Sequence, residues 1–552
     1  LKRQADIIKP GKKLIIGVLA FLPAFAAMAQ KEGMKKQTID ITSSFKPVLR
    51  NAAKINLNAT PPSPDSSKPR LTYNIPDQQL FTTYQSIGLK PLALQIDSIS
   101  RWKNSNSIKV GYGNYQTPYL RAGFSFGDGQ KSQLNIFGNY ISSSGKIKNQ
   151  AYSQAGAGLS GFTQTASGLE WSGKFGLSQD KYHLYGYDHT LYDYSKSQTL
   201  QSYNTFSASA GLRNLEPTEF GLRYNPNLKI SLFSDNRKAN ESNAVLNLPL
   251  EKSIGSVYAV KVGFGADFTR YKPAEGGAIN NNIYYIPAAI LFKTPNFFFH
   301  GGVIPSWDNG KFKLLPDFTG EFKLGSDKLM LQFGWISYFE KGSYERWSSI
   351  NPYIYQPTDL YNTRLVEKYG GIRGALTERL TYNFKLGAIR YNYLPLFVND
   401  SADQKSFRIL REEKLEAFQF QGEIAWSMSD RFDVSAGINL LKFKNQLTYD
   451  EAYGMIPSKL NASLKWQVLN DLWFKSDLFY FTGNSYRDKN GDNGKVAGAV
   501  DLNAGLEFRI TKQLNLWLQM NNIFNKKYQR WSNYEVYGFN ALLGVVFNFD
   551  QK

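Results

Sequence analysis

The 552-residue chain has no cysteine and only 3 histidines. The missing cysteine excludes a disulfide framework, thiol chemistry, a Cys-ligated metal and a lipid-anchoring Cys. It also suits an oxidising compartment outside the cytoplasm. With so few histidines, most acid–base and metal schemes have nothing to be built from. Neither H-E-x-x-H nor the P-loop spacing occurs. Long apolar runs are scarce too: beyond residue 29 no stretch reaches the ~20 apolar residues of a membrane helix.

Tyrosine (34), phenylalanine (38) and glycine (46) are plentiful, which favours strands over helices. The net charge is +20. Lys2, Arg3, Lys9, Lys12 and Lys13 precede the run "LIIGVLAFLPAFAAMA", which ends in Ala27-Met28-Ala29. A basic start, an apolar middle and an A-x-A end predict a secretory signal peptide over 1–29. Export takes the chain away from nucleic acid, so its positive charge needs another partner.

Residues 30–104 differ from the rest of the chain. Pro61, Pro62, Pro64 and Pro69 make the middle of this region an extended linker, and the whole reads as a periplasmic segment with little core of its own. From 105 to 552 the apolar period is two. In "DLNAGLEFRI", Leu502, Ala504, Leu506, Phe508 and Ile510 oppose Asp501, Asn503, Gly505, Glu507 and Arg509. "QLNLWLQMN", "FQFQGEIAWSM" and "KLMLQFGWI" repeat the pattern. Runs of about 9–11 residues suffice to cross a bilayer at barrel tilt, and they exceed the usual soluble strand. Tight turns near 252–255, 293–296, 325–328, 376–379, 428–431, 469–472 and 510–513 alternate with longer polar connections, among them 396–414, "SWDNG" and "YRDKNGDNGK". Short turns on one rim and long loops on the other predict an all-β transmembrane antiparallel barrel of an outer membrane. About 22 strands are expected, within a range of 18–24. The run at 108–115 would make the total odd, so either it belongs to the N-terminal segment or a strand between 150 and 235 is miscounted.

Candidate chemical sites are few. His183 and His189, read on one strand face beside Asp188, fit a rim strand better than a metal or hydrolase pair. His300 reads as an interfacial residue. Asp488, Asn490 and Asp492 have the oxygen density of a calcium loop, but Asn493 stands where glycine is needed and Ala499 where a bidentate Glu is needed. A polar hairpin explains them. No catalytic residue, metal or cofactor is expected. Lys526, Lys527 and Arg530 lie in the last long loop, where cations can pair with lipopolysaccharide phosphates.

The stretch from Val500 to Phe549, with "NNIFNKKY" and a final alternating strand ending in Phe, resembles the closing strands of TonB-dependent-receptor-like barrels. "GYGNYQTPYL" at 111–120 is similar to plugless members found in Bacteroidota. This resemblance implies solute passage across the outer membrane of a Gram-negative bacterium, without enzymatic activity. It also implies a membrane-insertion signal in the last strand, read by the barrel-insertion machinery. Tyr537, Phe539, Leu543, Val545, Phe547 and Phe549 would carry that signal and face lipid, while Asn540, Gly544 and Asn548 face the lumen. The full receptors carry a plug before the barrel, which residues 30–104 are too few to form. "QTIDITSSFKP" resembles a TonB box. The wide lumen then needs a filler: residues 30–104, inward-folded loops, or a partner protein bound through 30–104. The alternative role is a structural or assembly subunit of an outer-membrane complex.

Overall fold

Alternating apolar and polar side chains leave each strand with one face that must avoid water, and closing the sheet on itself satisfies every backbone group without an edge. The computed structural model describes residues 105–550, apart from 326 and 430. The signal peptide and the 30–104 segment lie outside these residues. The strands form one closed antiparallel barrel of 22 staves. Closure pairs the first strand, Ser105–Gly113, with the last, Asn540–Asp550, from Ser105 opposite Asp550 to Gly113 opposite Leu542. The run at 108–115 is therefore a stave, and the staves after it number one fewer than the sequence suggests. Between 150 and 235 there are four, the last broken into Leu222–Tyr224 and Asn227–Asp235. A second broken stave comprises Ile279–Tyr285 and Ala288–Lys293. Pro226 and Pro287 fall in the two gaps, where a residue without N–H interrupts the ladder.

Connections of a few residues occupy one rim, as at 378–379 and 470–471. The long connections 184–199, 341–362, 445–457, 482–498 and 522–539 occupy the other. Two expected long connections prove short. "SWDNG" closes as a two-residue hairpin on Asn309 (φ 49°) and Gly310 (φ 81°), the left-handed pair of a type I′ turn. Most of 396–414 is strand, because Leu380–Asn399 and Phe407–Ser429 extend to 20 and 23 residues and only 400–406 joins them. Their tips are held by a core of their own, in which Leu394, Leu396, Val398 and Leu415 pack on Tyr453 and Met455 of the 445–457 loop.

The outer face is apolar: Leu331, Phe333, Trp335, Phe418, Ile424, Trp426, Leu516, Leu543 and Phe547 are exposed along it. Inward groups pair between neighbouring staves. Arg213 meets Glu170 at 2.8 Å, and Asn515 donates to Glu507 at 2.6 Å. His300 lies inside, bonded to Asp317 at 2.8 Å, and not at an interface. Among the described residues no helix is long and apolar enough to cross a membrane.

The closing seam departs from the expected amide-rich interior. Leu542 and Val546 face inward and pack beneath Trp517 and Tyr119. Trp517, Gly544 and Gly111 stand in register on three successive staves. The indole lies over both glycines and donates to the Val110 carbonyl at 3.1 Å. A Cβ on Gly111 would meet the indole at 2.3 Å, and one on Gly544 would meet the Val110 oxygen at 1.9 Å. Lys109 sits 4.2 Å from the same ring.

Candidate functional site

Large buried aromatic side chains of the long loops and of the adjoining strand ends gather at one end of the barrel. Tyr182, Tyr185, Tyr203, Phe233, Tyr271, Tyr344, Trp347, Tyr353, Phe407, Trp531, Tyr534 and Tyr537 belong to one buried cluster at the long-loop end. Three loops meet at its centre, leaving the wall after the fifth, thirteenth and twenty-first staves, roughly thirds of the circumference. Each contributes one tyrosine. Tyr353 stacks on Tyr534 with ring centroids 3.7 Å apart. Tyr185 packs edge-on against both, at 6.0 and 4.8 Å. Tyrosine suits this place because it buries a large ring and still offers a hydroxyl to a neighbouring carbonyl. Tyr185 Oη donates to the Glu535 carbonyl at 2.8 Å, and Tyr203 Oη to the Pro352 carbonyl at 3.0 Å. Burial pushes the Tyr344, Tyr353 and Tyr534 phenols well above their ordinary value, so they remain neutral donors.

The 341–362 loop is fastened at several points. Its helix, α1 (Tyr344–Ile350), is capped by Ser343, whose Oγ accepts from the Arg346 N–H at 3.1 Å. The Glu241 carboxylate from the wall accepts from the Tyr344 N–H at 2.6 Å and the Glu345 N–H at 3.2 Å. Tyr344 Oη donates to Asp235 at 2.9 Å, and Gln356 donates to the same oxygen at 2.8 Å. At the base, Asn281 and Asn362 exchange amide hydrogen bonds at 2.9 and 2.7 Å. Lys341 pairs with Asp267 at 2.9 Å. Burial drives the Lys341 ammonium below its usual range, and Asp267 opposes that shift.

Other loops join the closure. Tyr192 Oη donates to the Ala402 carbonyl at 3.1 Å, and Tyr194 Oη donates to Asp403 at 2.9 Å. The buried Glu412 carboxylate accepts from the N–H groups of Leu447, Thr448 and Tyr449 at 2.9–3.0 Å, which folds the 445–457 loop inward. Gln150 donates to the Glu535 carbonyl at 2.9 Å. The end of the lumen that the long loops surround is filled by its own side chains.

The residues expected to matter are distributed unevenly. Tyr537 is not on the lipid face. It precedes the last strand, is 6% exposed, and packs on Tyr115 and Tyr152 within the closure. The period-two pattern ran past the true strand start at Asn540, because loop and strand share the alternation by coincidence. Phe539 is partly exposed at that start, while Leu543, Phe547 and Phe549 are exposed on the outer face with Val545 half-buried between them. Lys526 and Lys527 are exposed in the last loop. Arg530 is not: it is 4% exposed and turned against Trp531, so it cannot reach a lipid phosphate outside the barrel.

His183 and His189 do not share a strand face. His183 ends a strand, its Nδ1 3.1 Å from Thr199 Oγ1, and His189 stands in the loop, its Nε2 3.1 Å from the Tyr185 carbonyl. The Asp488 carboxylate is taken up by the N–H groups of Asn490 and Asp492 at the tip of a small hairpin. Gly123-Phe124-Ser125-Phe126-Gly127 has the G-x-S-x-G spacing, which was not among the expected motifs. It lies inside a regular strand with Ser125 Oγ donating to Asn135, and the strand-to-helix elbow that exposes a nucleophile is not there. Inward-folded loops were one of the three expected fillers of the lumen, but the residues that make the closure were not identified. Their signal was the tyrosine density of the loops, as in Tyr182, Tyr185, Tyr187, Tyr192 and Tyr194.

A scan against protein-family models and a search of curated proteins return no match. Solved structures do match. The FrpB iron transporter from Neisseria meningitidis (F3-3 variant) superposes with a TM-score of 0.63 at 11% identity, covering 81% of this chain and 82% of that one. The siderophore receptor PirA from Acinetobacter baumannii gives 0.62 at 10%, covering 81% and 80%. A mutant of the ferric enterobactin receptor PfeA from Pseudomonas aeruginosa gives 0.59 at 11%, covering 81% and 80%.

The fold is the barrel shared with these iron and siderophore receptors. At this identity the likeness speaks for the fold alone. Within that receptor-type barrel, the tyrosine closure and its fastenings are described by this chain's own residues.

Proposed function

We propose that the protein is an outer-membrane barrel for solute passage, gated at its long-loop end by its own loops. The observation that carries this reading is the meeting of Tyr185, Tyr353 and Tyr534 from three loops spread round the rim. The fold shared with iron and siderophore receptors supports passage in place of enzymatic chemistry. The long-loop rim then faces outward and the short-turn rim the periplasm, as in outer-membrane barrels generally. Lys526 and Lys527 are proposed to contact lipopolysaccharide phosphates, and Leu543, Val545, Phe547 and Phe549 to serve the insertion signal. A periplasmic or membrane partner held through 30–104 remains part of the proposal.

Planar-bilayer recording tests the gate. The intact protein should show little conductance, and deletion of 345–360 should open large steps. If the deleted protein inserts yet stays silent, the lumen is blocked elsewhere and the role of a subunit in a membrane complex replaces passage.

A further inference from the structure

A charged side chain deep in a protein requires a counter-charge, because removing an ion from water is costly even after relaxation. Arg530 breaks this rule among the described residues. It is 4% exposed, its Nη1 has no hydrogen-bond partner among the described residues, and no described carboxylate forms an ion pair with it. The Trp531 ring stands 4.0 Å from the guanidinium carbon. A guanidinium does not escape by losing its proton at neutral pH. Burial does pull its affinity for that proton down, to about 9, with no acidic neighbour acting in the other direction.

Arg530 lines a small enclosed cavity together with Glu340, Lys341, Arg346, Trp347 and Trp531. The cavity therefore lies where the 341–362 and 522–539 loops come together. Its charges do not balance. Glu340 is engaged by Arg346 at 2.9 Å, and Lys341 by Asp267 at 2.9 Å. That leaves the charge of Arg530 over, and Lys459 nearby has the same sign. The cavity measures about 20 Å³, enough for one occupant close to the size of a water. A phosphate or carboxylate-bearing molecule is too large. A water would accept a hydrogen bond from Arg530 but would leave the charge uncompensated.

We propose that this cavity is a binding site for a single monatomic anion, a halide such as chloride, held by Arg530 and joining the two loops that close the barrel. The ion would supply the missing negative charge and couple the hairpin bearing Trp531 and Tyr534 to the loop bearing α1. Closure would then be stronger in chloride than in an anion too large to enter.

The full-length protein in detergent, compared in sodium bromide, chloride and gluconate at equal ionic strength, tests this. Thermal unfolding should shift upward by a few degrees in chloride and bromide relative to gluconate. Arg530→Gln should lower the apparent halide affinity at least about tenfold, which flattens that difference. A crystal grown in bromide should show an anomalous peak within contact distance of the Arg530 guanidinium, and this measurement needs no variant to fold. An ordered water or an acidic side chain of residues 1–104 at that place, without bromide, would overturn the proposal. So would an unchanged halide response in Arg530→Gln.

Discussion

Single residues hold the seam where the barrel closes. The Trp517 indole spans the last strand to reach a carbonyl on the first, and it can do so only because Gly544 and Gly111 have no side chain beneath it. Trp517→Ala should lower stability by about 3 kcal/mol, the usual cost of removing a buried large aromatic. Gly544→Val should cost at least as much, because its Cβ would strike backbone. Urea unfolding of the detergent-solubilised barrel checks both. Asp403 shows a second residue-scale dependence. Burial works against its charge, yet hydrogen bonds from Lys405 and Tyr194 hold its carboxyl below the ordinary range. A lowered folded-state value adds stability that is present above the unfolded value and is lost as pH falls through the folded one. Hydrogen-exchange protection in 400–406 and 184–199, taken relative to the intrinsic rate at each pH, should therefore fall below about pH 4, where an ordinary Asp titrates, and Asp403→Asn should abolish that fall.

At the scale of elements, the staves were legible and the loops were not. Alternation in "KLMLQFGWI" placed Leu331, Phe333 and Trp335 outward and Gln332 inward because a strand repeats every two residues whatever surrounds it. The same rule misled at Tyr537, where a loop happened to alternate. It also gave no sign that Leu396 and Val398 would be strand rather than loop. Their burial depends on Tyr453 and Met455, more than 50 residues away in sequence. The 445–457 loop depends in turn on Glu412, whose carboxylate receives three consecutive backbone N–H groups. Glu412→Ala should leave those donors unsatisfied and release the loop, at a local cost on the order of 3 kcal/mol. Proteolysis within 445–457 should become rapid while the barrel itself survives.

For the whole molecule, strand number and closure followed from length, period and the alternation of short and long connections. What fills the lumen could not be read that way. The three central tyrosines lie 168 and 181 residues apart in sequence, and nothing local to any of them indicates the others. A wide barrel has a curved wall that brings such distant loops over one opening, and only the assembled wall fixes which side chains meet. The tyrosine closure is thus a property of the closed barrel, in the same way that the cavity beside Arg530 arises only where two loops join.

The Trp517 clasp has a kinetic meaning as well. Its hydrogen bond joins residues 407 positions apart and can form only after the final strand has zipped against the first. The indole is thus a built-in optical clock. The difference in tryptophan emission between the native sequence and Trp517→Phe would mark the moment at which an open, curling sheet becomes a ring.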